Sequence, residues 1–95
     1  MPKIIDEIMS KISASEDKDN YGYWKVIYEK SPSEYVIVDE YLKDALIENY
    51  SLDNCPQDWE IEQAIKEDFK NMLEREYKEW GIDGIKRLLK PFSLR

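Results

Sequence analysis

The sequence predicts an α+β domain with elements in the order α-β-β-α-α-α, and three observations carry that reading. Apolar residues recur at helical spacing in four segments. Two aromatic and β-branched runs flank the turn Ser31-Pro32-Ser33. One helical stripe, over about residues 57–80, is much the longest element and reads as the spine. Ninety-five residues make one domain, 1–95. A hydrophobic fraction of 42%, gathered in periodic segments, is too high for a disordered chain.

The first helix is predicted over residues 3–14, because Ile4, Ile5, Ile8, Met9 and Ile12 share one helical face. Ser13 to Asn20 reads as a polar loop. Tyr23 to Lys30 then alternates, with Trp24, Val26 and Tyr28 on one face. After the Pro-containing turn, Tyr35-Val36-Ile37-Val38 is the second strand of an antiparallel hairpin. A hairpin alone is marginal in water, so it should pack on the helices.

Asp39 is the expected N-cap of a second helix carrying Tyr41, Leu42, Ala45, Leu46 and Tyr50. Residues 51–55 connect it to the third, where Pro56 suits the first turn. Trp59, Ile61, Ile65, Phe69, Leu73, Tyr77 and Trp80 are read as its buried stripe, and Gly81 as its stop. Its other face offers i,i+4 charge pairs: Glu62–Lys66, Lys70–Glu74, Glu74–Lys78 and Arg75–Glu79. Asp83 is expected to cap a last short helix with Ile85, Leu88 and Leu89, closed by Pro91.

Net charge is −7, and it is unevenly spread. Residues 82–95 carry a net +3, through Lys86, Arg87, Lys90 and Arg95 against Asp83, which leaves −10 on the rest. From Glu34 to Glu62, nine acids face one base, Lys43. That field opposes direct contact with nucleic acid or an anionic membrane and attracts a basic partner.

Most catalytic chemistries lack their residues here. There is no histidine, hence no imidazole base or ligand. The single Cys55 can form neither an internal disulfide nor a two-cysteine zinc site, and it has no histidine to activate it. It reads as a small half-buried residue near a helix cap. Ser15-Glu16-Asp17-Lys18 matches S-x-x-K only by letters. A calcium loop starting at Asp17 would put Tyr21 and Tyr28 where oxygen ligands belong. Glu74, Glu76 and Glu79 read as a solvated helix face. The three glycines are scattered, so no phosphate loop exists. No metal, no cofactor and no enzymatic activity are expected.

A charged N-terminus without an apolar run, and no stretch of ~20 apolar residues, point to a soluble cytoplasmic protein. The expected working surface is the acidic and aromatic one: Glu34, Tyr35, Asp39, Glu40, Tyr41, Asp44, Glu48, Asp53, Asp58, Glu60 and Glu62. Tyrosine beside carboxylate is a composition suited to protein interfaces.

In size, charge and missing chemistry the chain resembles the small acidic inhibitors that phages and archaeal viruses direct against host defence enzymes, the anti-CRISPR and anti-restriction proteins, some of which mimic DNA. Colicin-type immunity proteins share the profile. The resemblance implies a non-enzymatic inhibitor whose partner is a basic, nucleic-acid-binding enzyme. The alternatives are a self-associating regulatory or structural subunit, acting as a homodimer, and an immunity-type inhibitor of a toxin.

Overall fold

A three-stranded antiparallel sheet lies against four helices, in a computed structural model that describes residues 3–92. Met1, Pro2 and residues 93–95, with Arg95 of the basic tail, lie outside the described residues. The elements are α1 (Lys3–Met9), β1 (Ile12–Glu16), β2 (Tyr23–Ser31), β3 (Glu34–Leu42), α2 (Lys43–Asn49), α3 (Asp58–Trp80) and α4 (Ile82–Leu88). The α+β class, the hairpin on helices and the long α3 stand as predicted. The order gains one strand and becomes α-β-β-β-α-α-α.

The added strand corrects the reading of residues 3–14 as one helix. Lys11 N–H donates to the Ile8 carbonyl and Glu29 N–H to the Lys11 carbonyl, so the chain turns and enters the sheet. Ile12, Ala14 and Glu16 then oppose Tyr28, Val26 and Trp24 on β2. Ile12 does belong to the core, but as a strand residue.

A second correction concerns β3, which runs through Asp39 to Leu42, where the sequence predicted a helix start. Val26 opposes Asp39 while Ile27 opposes Ile37, so Val38 is an extra residue, a β-bulge. Val38 turns fully inward, and the alternation shifts phase behind it. Tyr41 therefore faces Trp24 on the covered side of the sheet, whereas strict alternation from Val36 would have turned it out. The hairpin turn itself is two residues, with Ser33 at φ +67° after Pro32.

The core is one cluster. Ile61, Ile65, Phe69 and Leu73, each one helical turn from the next, are fully buried along α3. They pack with Ile5 and Ile8 of α1, Trp24, Val26 and Val38 of the sheet, Leu46 of α2, and Ile85 and Leu88 of α4. Trp59 and Trp80 do not join it. They are 58% and 59% exposed, against the expectation that the stripe ran the length of the helix.

The ends of α3 also differ in detail. Pro56 is buried one residue before the N-cap Gln57, outside the first turn. Gln57 N–H donates to Glu60 Oε2 at 2.8 Å, satisfying a backbone donor at the helix start. Gly81, at φ +64° and ψ −143°, makes the corner into α4 and is its N-cap, with Asp83 in the first turn instead. At Gly84 a Cβ would run into the backbone carbonyl of Glu76, so glycine lets α4 pack directly on α3. Arg87 Nη2 meets Glu76 Oε1 at 3.0 Å across that contact. None of the four i,i+4 pairs predicted within α3 closes to ion-pair distance. No described helix is long and apolar enough to cross a membrane.

Candidate functional site

The acidic residues predicted to form one surface are dealt to several places by the fold. Glu34 and Tyr35 sit at the hairpin end of β3, and α2 follows its other end directly. Nine residues at ~3.3 Å each separate those ends by roughly 25–30 Å. Glu34 Oε1 accepts from the Ser31 hydroxyl at 2.8 Å, and Tyr35 is exposed on the uncovered face of the sheet. Glu40 Oε1 accepts from Asn20 Nδ2 at 3.2 Å, tying the β1–β2 loop to β3. Asp39 is half-buried at the bulge, with Oδ1 accepting the Glu40 N–H at 2.8 Å.

Two of the predicted residues are structural. Glu62 Oε2 accepts the Ala14 N–H at 3.3 Å. That covers a backbone donor of β1, at the sheet edge opposite β3. Tyr41 points inward, and its hydroxyl donates to Asp68 Oδ2 on α3 at 2.6 Å. Tyr50, at the end of α2, donates to the other oxygen, Oδ1, at 2.8 Å. Asp68 thus joins β3, α2 and α3 through two phenols. Burial, and then the bond to the Asp68 carboxylate, push the Tyr50 hydroxyl up to about 12 and raise Tyr41 further.

The remaining acids lie on consecutive elements of the helical layer. Asp44 and Glu48 are exposed on α2, Asp53 on the connector, and Asp58 in the first turn of α3, with Glu60 half-exposed beside it. Lys43 at the start of α2 is the only base in this stretch. Acid at the N-terminus of α3 also suits the helix dipole. The opposite end of α3, 23 residues or ~34 Å away, carries Lys78 and the α4 bases Lys86, Arg87 and Lys90. Charge is therefore almost wholly acidic over α2, the connector and the first turn of α3, and mixed at the far end of α3, where Glu76, Glu79 and Asp83 stand among those bases.

A groove of about 260 Å³ opens at the acidic end between the connector and α3, lined by Tyr50, Leu52, Trp59, Glu60, Gln63, Ala64 and Glu67. The Trp59 indole N–H donates to Gln57 Oε1 at 3.2 Å, which holds the ring beside the groove. The sequence reading missed Trp59 and Glu67 as surface groups. The signal was present: Trp59 is two residues, or 200° of helix, from buried Ile61, so both cannot face the core.

Cys55 is exposed, not half-buried as expected. Among the described residues no group of three or more His, Cys, Asp or Glu side chains is placed to hold a metal ion. The chain matches no family model, no curated protein and no solved structure.

Proposed function

We propose that this protein is a non-enzymatic binding module which presents the acidic end of its helical layer to a basic protein. Asp44, Glu48, Asp53, Asp58 and Glu60 are the carboxylates that make the contact. The partner is a nucleic-acid-binding enzyme, of host defence in the inhibitor reading, and the carboxylates take the place of its phosphates. A toxin nuclease met by an immunity-type inhibitor presents the same chemistry. The setting is the cytoplasm, in keeping with a single exposed thiol.

The observation that carries the reading is the exposed, nearly base-free run of acid from α2 to the start of α3. Asp44, Glu48, Asp53, Asp58 and Glu60 follow one another on α2, the connector and the first turn of α3 with Lys43 as the single base in that stretch, whereas the far end of α3 and α4 mix Lys78, Lys86, Arg87 and Lys90 with Glu76, Glu79 and Asp83. Such a field raises association rates with a basic groove and does little for the fold. The test is binding to a candidate nuclease or nucleic-acid-binding complex across a salt series, with DNA and RNA as competitors. Affinity should fall with salt, and nucleic acid should compete.

A second reading, a homodimer, is favoured by the uncovered face of the sheet. Tyr23 with Leu42, and Ile27 with Ile37, make two cross-strand apolar pairs there, and Tyr35 adds a second ring. Tyr35, Ile37 and Leu42 are exposed. The only charges among the paired β2 and β3 residues of this face are Lys25, Glu29 and Glu40, so it is close to neutral and suits a second copy better than a strongly basic partner. Light scattering at micromolar concentration decides it: a mass of 11.4 kDa removes the dimer, and twice that mass, lost in Ile37→Lys, supports it.

A further inference from the structure

Where α3 meets α4, an arginine of this chain is already held by an indole and a carboxylate. The Arg87 guanidinium lies 5.4 Å from the centre of the Trp80 ring. Its Nη2 meets Glu76 Oε1 at 3.0 Å. The planar cation thus has an aromatic face on one side and a carboxylate on its donor edge, the two contacts a guanidinium makes best.

The groove at the acidic end repeats two of those three parts. Trp59 supplies an exposed indole fixed by Gln57, and Glu60 and Glu67 supply carboxylates. One Glu60 oxygen is spent on the Gln57 N–H, and the Tyr50 hydroxyl is spent on Asp68. Glu67 is exposed, and the Tyr50 ring and Leu52 form the apolar wall. Among the described residues no base lines this groove. The larger groove of about 560 Å³ beside α4 differs, since Arg75 and Lys78 balance Glu76 and Glu79 along it.

We propose that the Trp59 groove is the seat of an arginine side chain from the partner. The guanidinium stacks on the indole and donates to Glu67 and to the remaining oxygen of Glu60. This rests on the reading of the acidic end as a protein-binding surface and names its central contact. Arginine is preferred to lysine because the ammonium is a more strongly hydrated point charge without a planar face to stack. The contact also gives the surface a specificity that carboxylates alone lack, since buried aromatic and arginine anchors dominate interfaces.

The experiment is an amide and indole N–H nuclear magnetic resonance titration of the full chain with octa-arginine, octa-lysine and octa-serine peptides. The expected result is a saturable shift of the Trp59 indole and the Gln63 and Glu67 amides with octa-arginine. Octa-lysine should bind at least threefold more weakly. Trp59→Ala and Glu67→Gln should each weaken octa-arginine at least threefold while the rest of the spectrum keeps its dispersion. Equal binding of both basic peptides, shifts with octa-serine, or unchanged affinity in Trp59→Ala would overturn the groove. If octa-arginine survives Trp59→Ala but is lost in Asp44→Lys/Asp53→Lys, the arginine seat is wrong and the acidic surface stands. If it survives both pairs of changes, neither stands.

Discussion

Tyr41 of β3 and Asp68 of α3 meet at 2.6 Å because the bulge at Val38 turns the tyrosine to the covered side of the sheet. Asp68 takes a second bond from Tyr50, so one carboxylate fixes the strand, the end of α2 and the spine. Hydrogen bonds to a charged acceptor contribute ~1.5–3 kcal/mol each. Tyr41→Phe should lower stability by that amount in urea melts, and Asp68→Ala by more, because it strands both hydroxyls. A Tyr41→Phe midpoint equal to that of the parent would show that the bond contributes nothing.

The same bonds set the response to alkali. An unfolded tyrosine titrates near ~10, whereas in the fold Tyr50 is pushed up to about 12 and Tyr41 is raised further. The folded state therefore holds these protons more tightly. Their contribution is complete below pH ~10 and is lost as pH rises through the folded values. Denaturation midpoints should be flat in this respect up to pH ~10 and fall above it. Tyr50→Phe should be less stable at neutral pH yet fall less steeply. An unchanged alkaline slope in that variant would refute the linkage.

The long helix divides into a core and two solvent ends. Leu73 and Phe69 are fully buried, so Leu73→Ala should cost ~2–5 kcal/mol. Trp59→Ala and Trp80→Ala should each cost about 1 kcal/mol or less, the latter from the lost Arg87 stack. Thermal melts that rank a tryptophan variant below Leu73→Ala would reverse this assignment.

These residues also show what the sequence could and could not reveal. The i,i+4 row Ile61, Ile65, Phe69, Leu73 is legible because a buried helix face repeats with the helix period. Trp59 was drawn into the stripe by its hydrophobicity alone, although its angle places it outside. Trp80 is in phase with Leu73, seven residues on, but the helix has by then passed the core. β1 was hidden because Ile8 and Ile12 keep helical spacing across the turn, and Ile-Ser-Ala-Ser-Glu carries little β-branched content. The bulge has no local signature either; it is set by pairing with β2. Of the candidate site, the charge of α2 and the connector was readable in one dimension. The inward turn of Tyr41 and the use of Glu62 on β1 depend on partners far along the chain.

Gly84 tests how closely α3 and α4 must approach. A Cβ there meets the backbone carbonyl of Glu76, which has no rotamer with which to retreat. Gly84→Ala should therefore destabilise the domain by about 1–3 kcal/mol, although alanine favours helix by ~1 kcal/mol at an open site. It should also loosen the Arg87–Glu76 pair, read as a changed Trp80 fluorescence. A stabilised Gly84→Ala would mean the two helices can separate at little cost.

The run of acid over α2, the connector and the start of α3 makes the sharpest functional prediction, because it separates where charge lies from how much there is. Asp44→Lys with Asp53→Lys, and Glu34→Lys with Glu74→Lys, change net charge by the same amount. The first pair lies at the acidic end. Glu34 lies at the far tip of the hairpin, and Glu74 lies well along α3. If carboxylates substitute for phosphates in a basic groove, the first pair should slow association with the partner at least tenfold at low salt. The second should slow it less than threefold, and neither should alter the fold. The effect should shrink as salt rises, since screening acts over ~8–10 Å. The same screening should make the free parent domain slightly more stable, by relieving repulsion among Asp44, Glu48, Asp53 and Asp58, and the first pair should lose that salt dependence. A purely structural homodimer predicts no such asymmetry. Equal slowing by both pairs would mean that only net charge matters, and failure of nucleic acid to compete would mean that the partner's groove is not the one being filled.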